Sequence, residues 1–112
     1  MRKAKVLYNN VFAGVLTETD DGFYVFQYEV EYIQNYPSKF LTFTMPVREK
    51  PFIDNRLFPF FEGLIPEGWL LEIASKSWKI KMNDRMGLLL ACCQNCIGAV
   101  SVEPLFLEED EK

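Results

Sequence analysis

The chain contains no histidine. This removes the commonest general base and both the Ser-His and Cys-His nucleophile pairs. Cysteine is scarce: Cys92, Cys93 and Cys96 are the only three. An odd, small number cannot make a paired disulfide framework, which favours a reducing, cytoplasmic compartment. No apolar run approaches the roughly 18 residues that a membrane-spanning helix needs, so no membrane partner is expected. The N-terminus MRKAKVLYNN has basic residues but no apolar stretch or small-residue cleavage site, so it does not read as a secretory signal. Phosphate-cradling loops of the GxxxxGK(S/T) or GxGxxG type are missing, as are the HRD and DFG motifs of phosphoryl transfer. There is no run of Lys or Arg, and the net charge is −4. Direct nucleic-acid binding is therefore not expected, because that affinity comes mainly from neutralising phosphates. Repeats and low-complexity segments are lacking too.

What remains is apolar and aromatic. Hydrophobic residues make up 49% of 112 and aromatics 15%, enough for one domain with a real core and too much for a disordered chain. The 16 carboxylates include one dense cluster, Glu108, Glu109, Asp110 and Glu111, which reads as a solubilising tail. The expected layout is a domain over residues 1–104 and an acidic tail over 105–112.

Cys93-Gln94-Asn95-Cys96 has the spacing of a redox or metal motif. A thioredoxin-like pair belongs at a helix N-terminus, where the dipole favours the thiolate. Here it follows a helical pattern and precedes a strand pattern. A closed zinc site needs four ligands, and three cysteines without histidine do not supply them. The cysteines read as structural, and no metal or cofactor is expected.

In chain order, Lys3 to Tyr8 alternates, Asn9-Asn10 signals a tight hairpin, and Val11 to Thr17 resumes an extended pattern. Asp20-Asp21-Gly22 is a second turn, followed by the clearest strand, Phe23 to Val30, with Tyr24, Phe26, Tyr28 and Val30 on one face. Glu31 to Ser38 reads as a loop with room for a helical turn at Tyr32–Asn35. Lys39 to Met45 reads as a fourth strand with Leu41, Phe43 and Met45 aligned, and Pro46 to Asn55 as a connecting loop. Asn83 or Asp84 is a plausible N-cap for a helix carrying Met86, Leu88, Leu89, Leu90 and Ala91, and Ile97 to Val102 is a last strand. The order predicts an α+β domain: a mostly antiparallel sheet of about five strands with two to three helices on one face.

The stretch Arg56 to Trp78, RLFPFFEGLIPEGWLLEIASKSW, holds most of the decisions. Its apolar block predicts a short helix or turn through Phe61, a break at Gly63–Pro66, and a second helix from Pro66 to about Lys79, since Pro fits the first helical turn. At about 100° per residue, Leu70, Leu71, Ala74 and Trp78 share a core-facing arc, and Trp69 lies roughly 155° from its middle, beside Lys76 and near Ile73. Trp69 either fills the neighbouring Pro46–Asn55 loop or waits for a partner. In the second case it is the anchor, Ile73 sits one turn on, and Glu67 and Lys76 form a polar rim, since hot spots favour Trp in a desolvated pocket.

The segment Phe61-Glu62-Gly63-Leu64-Ile65-Pro66-Glu67-Gly68 resembles the F-x-(N/G)-L-(L/I)-P-E-G segment in the N-terminal domain of HipA-type serine/threonine kinases. Asp84-Arg85-Met86-Gly87 resembles the family's Asp-led helix, and Ile97-Gly98-Ala99-Val100 its entry into the last strand. Asn95 stands where the family usually has Asp, at what reads as a turn. The resemblance covers essentially the whole chain. Family kinases carry a longer C-terminal region with the catalytic residues; ending at Lys112, this chain resembles the free-standing form of the domain in tripartite HipBST toxin–antitoxin systems. That resemblance implies an antitoxin that binds and neutralises a HipA-type kinase, with a helix-turn-helix DNA-binding protein reached through the kinase. The alternative it leaves open is a non-catalytic N-terminal subunit of a split kinase, needed for activity or assembly. Such a permanent subunit would expose a wide apolar patch.

Overall fold

The computed structural model describes residues 2–65, 76, 81, 84–92 and 99–105. Five strands and three helices are assigned among them: β1 (Arg2–Tyr8), β2 (Val11–Glu18), β3 (Tyr24–Tyr28), α1 (Val30–Asn35), β4 (Phe52–Asp54), α2 (Pro59–Glu62), α3 (Arg85–Cys92) and β5 (Val100–Pro104). All pairings are antiparallel, in the order β4-β3-β2-β1-β5. The expected α+β class is the one found.

The hairpin turns follow from residues that tolerate positive φ. Asn9 (51°) and Asn10 (66°) both do so, as a two-residue turn matched to strand twist requires. Gly22, at 91°, closes the β2–β3 turn. A register shift between Val6 and Leu7 leaves Ala13 as an extra β2 residue, and its carbonyl accepts from the Glu29 N–H at 2.8 Å. This bulge ties the start of α1 to the sheet.

One sheet face is the core. Ala4, Val6, Leu16, Phe26 and Val102 are fully buried there, closed by Phe61 of α2 and by Met86, Leu88 and Leu89 of α3. A run of ring contacts joins Tyr36, Tyr32, Tyr28, Phe26 and Phe61. Such edge and offset contacts add about 0.5–1.5 kcal/mol each beyond area burial.

Three local expectations need correction. Residues 39–45 are not a strand. The Tyr28 hydroxyl, itself in the core, donates to the Met45 carbonyl (2.5 Å) and accepts from the Leu41 N–H (3.1 Å), while the Tyr32 hydroxyl donates to the Lys39 carbonyl (2.6 Å). The backbone of this segment spends its hydrogen bonds on tyrosines, so it wraps around them. Met45 is buried while Phe43 is 88% exposed, which a shared strand face would not allow. The sheet's fourth strand is instead Phe52–Asp54, inside the predicted loop. Residues 30–35 form α1, so the clear strand stops at Tyr28 and Val30 is 65% exposed. The last strand runs to Pro104, with the Leu105 N–H still donating to the Lys3 carbonyl at 2.9 Å. Residues 97 and 98 lie outside the described residues, as do 106–112 of the expected tail.

Candidate interaction surface

The central stretch begins as its residues predict. Phe58 caps α2, Pro59 occupies the first turn, and Gly63 ends it. Leu57, Phe58, Phe61 and Ile65 are buried, so the apolar block is core and fixes where the chain leaves Ile65. Of the four residues singled out for partner contact, Lys76 is helical and exposed. Glu67, Trp69 and Ile73 lie outside the described residues, as do Cys93 and Cys96. Cys92 ends α3.

The two motifs that carry the resemblance are wired to each other. Arg85 of the Asp-Arg-Met-Gly run grips Glu62 of the Phe-Glu-Gly run, with Nη2 2.7 Å and Nε 3.1 Å from Oε1. This holds the Arg85 guanidinium protonated more firmly than usual and locks α2 to α3. Asp84 caps α3 as anticipated: its Oδ1 accepts from the Gly87 N–H at 3.1 Å, and its carbonyl from the Leu88 N–H at 3.0 Å. The same carboxylate takes two hydrogen bonds from Arg2 (2.7 and 3.1 Å), whose Nε also donates to Glu18 at 2.7 Å. The Arg2 hydrogen bonds hold Asp84 below the usual carboxylate range. A Cβ at Gly87 would run into the Asp84 carboxylate. Glycine is therefore present because the cap and the Arg2 bridge occupy that space.

Sequence reasoning missed a second surface, at the edge of β4. A groove of about 320 Å³ opens there, lined by Met45, Arg48, Phe52, Ile53, Asp54 and Phe58 among others. Ile53 is 63% exposed. The Arg48 guanidinium lies over the Phe52 ring, 3.7 Å from its centroid, with Nε donating to the Lys50 carbonyl (3.0 Å) and Nη2 to the Pro51 carbonyl (3.3 Å). The Gln27 amide, from β3, donates to the Glu49 carbonyl and holds the same loop against the sheet. The only signal available was the β-prone pair Phe52-Ile53 after Pro51, and so short a segment does not stand out among charges.

Among the described residues, no group of three Cys, Asp or Glu side chains is placed to hold a metal, and no helix is long and apolar enough to cross a membrane. A cleft beside α1, lined by Glu29, Glu31, Tyr32 and Tyr36, carries both carboxylates at the start of a helix, where the dipole accounts for them. Burial pushes the Tyr32 phenol up to about 12.

The family model of the HipA N-terminal domain matches residues 4–103. A chain named "Uncharacterized protein" from Haemophilus influenzae is 35% identical over 103 residues, which is 92% of each chain. Among solved structures, the "N-terminal domain of HipA toxin" superposes with a TM-score of 0.74 at 27% identity, covering 96% of both chains.

Proposed function

The chain belongs to the HipA N-terminal domain family, and on that premise we propose that it is a HipS-like antitoxin module that binds and neutralises a cognate HipA-type serine/threonine kinase in a cytoplasmic toxin–antitoxin complex. The observation that carries the reading is the likeness to the N-terminal domain of a HipA toxin across 96% of both chains. That domain is a non-catalytic part of the toxin. A matching fold can therefore occupy or perturb a kinase without chemistry of its own, which agrees with a chain that lacks histidine and nucleotide-binding motifs. A helix-turn-helix DNA-binding protein joins through the kinase. The acidic charge of this chain suits that division of labour.

Trp69 is the proposed anchor, with Ile73 beside it and Glu67 and Lys76 as the rim. Lys76 is helical and exposed, and at helical spacing Trp69, seven residues earlier, falls within about 20° of it. Chromatography with light scattering of the wild type mixed with the kinase tests the pairing. The expected result is a complex of defined mass, with affinity falling at least about tenfold, or ~1.4 kcal/mol, in Trp69→Ala. Undiminished affinity in the mutant removes Trp69; absence of any complex removes the antitoxin.

A second reading is favoured by the same match, because the solved relative is a piece of a toxin rather than its inhibitor. In it the chain is the N-terminal subunit of a split kinase, and adding it raises kinase activity instead of lowering it. The Haemophilus relative, matched over 92% of its own length, leaves little room for a catalytic region in that chain, which fits both readings.

A further inference from the structure

Glu62 and Arg85 stand 23 positions apart in the sequence, and their ion pair closes the chain on itself. The stretch between them holds every residue of the proposed kinase contact: Glu67, Trp69, Ile73 and Lys76. Both ends of that stretch are fastened. On the way out, the Glu62 carbonyl accepts from the Ile65 N–H at 3.2 Å, and Ile65 is buried. On the way back, the Asp84 N–H donates to the Lys81 carbonyl at 3.0 Å, and the Asp84 carboxylate is held by Arg2 and by the Gly87 N–H. Glu62 thus serves both ends, its carbonyl on the exit and its carboxylate on Arg85.

The pair is a minor part of global stability, because the Arg85 and Glu62 side chains are 31% and 36% exposed and solvent screens such a contact. Its geometry is nonetheless demanding. Nε and Nη2 of Arg85 both reach the carboxylate, at 3.0 and 2.7 Å, a fork that fixes direction as well as distance. Closing a loop reduces the conformations open to everything inside it. A binding segment ordered in advance then loses less freedom when it docks.

We propose that Glu62 and Arg85 are positioning residues for kinase binding. Their ion pair staples the base of the 63–84 stretch, so that the Trp69 contact is presented in one arrangement before the kinase arrives. In this role neither side chain touches the kinase, and the two act as a unit. This inference rests on the kinase-binding reading above.

The chain's two tryptophans, Trp69 and Trp78, both lie within the stretch, so acrylamide quenching of their fluorescence reports on it in the free protein. Glu62→Gln, Arg85→Gln and the double variant are compared with the wild type by quenching, by urea unfolding and by calorimetric titration of a catalytically inactive cognate kinase. Each single variant is expected to unfold at nearly the wild-type urea concentration and to be quenched more readily. Each should also bind the kinase about three- to fivefold more weakly. The double variant should lose no more affinity than the more weakly binding single, because one joint is broken either way. Losses that multiply would overturn the proposal, since each side chain would then act on the kinase separately. Wild-type affinity in all three variants would overturn it too, whatever the quenching, and would leave the kinase reading standing. If the wild type does not bind the kinase, both fall.

Discussion

Gly87→Ala gives the sharpest test of how the fold is wired. In an ordinary helix this substitution stabilises by up to about 1 kcal/mol, because Gly loses more backbone entropy on folding. Here the new Cβ meets the Asp84 carboxylate. To make room, Asp84 must leave its cap on the Gly87 N–H and its two bonds from Arg2. The cap is worth about 1 kcal/mol. The Arg2 pair is 41% and 35% exposed on its two sides, so solvent screening limits it to about 0.5–1 kcal/mol. The losses exceed the gain, and Gly87→Ala is expected to destabilise by about 0.5–1 kcal/mol. In an Asp84→Ala background the obstruction is gone, and the same change should stabilise by about 1 kcal/mol. Urea unfolding of the four proteins measures this cycle, whose coupling should be about 1.5–2 kcal/mol. Equal stabilisation by Gly87→Ala in both backgrounds would refute the reasoning, since Asp84 would then not be what the glycine makes room for.

Other expectations follow from the same geometry. Asp84 has a lowered folded pKa, so its contribution is present above the unfolded value of about 4 and disappears as pH falls through the folded value; acid titration of stability should show a shallower loss in Asp84→Asn. The Tyr32 phenol is raised to about 12, so the stability linked to it is full below the unfolded value of about 10 and is lost as pH rises towards 12. Burial also pushes the Tyr24 and Tyr28 phenols up, so phenolate absorbance should show several tyrosines titrating late, and Tyr32→Phe should reduce that late absorbance by one tyrosine. Phe61→Ala, at a fully buried ring touching Phe26, Phe58 and Phe60, should cost about 3–5 kcal/mol in urea unfolding. Gly14→Ala puts a Cβ against the Gln27 carbonyl and the Phe26 ring, and the same measurement should show a loss of about 1–3 kcal/mol.

The local chemistry of the sequence was legible where a single residue type decides the backbone. Asn9-Asn10 and Gly22 announced their turns, and Asp84 was one of the two cap candidates. Periodicity misled where a distant side chain captured the backbone. Leu41, Phe43 and Met45 alternate as a strand would, but the Tyr28 hydroxyl, thirteen to seventeen residues away, takes the bonds a sheet would need. Long-range partnerships were invisible for the same reason. Nothing in Arg2 announces Asp84, 82 positions later, and the pairing of Glu62 with Arg85 emerges only once α2 and α3 pack together. The motif residues that carry the family likeness are thus partly explained as joints of the scaffold. Pro46 to Asn55 reads as a plain loop because the stacking of Arg48 on Phe52 requires a bend that no spacing rule reveals.

These joints set up what the function requires. The Glu62–Arg85 and Arg2–Asp84 contacts hold α2 and α3 against the sheet, and the buried Ile65 fixes where the chain departs towards Glu67 and Trp69. Autophosphorylation of the cognate kinase, titrated with this protein, tests the central claim most directly. The account predicts a saturable fall in activity near stoichiometric addition, weaker by about tenfold or more in Trp69→Ala. Activity that rises with added protein would contradict it and make the chain a kinase subunit instead.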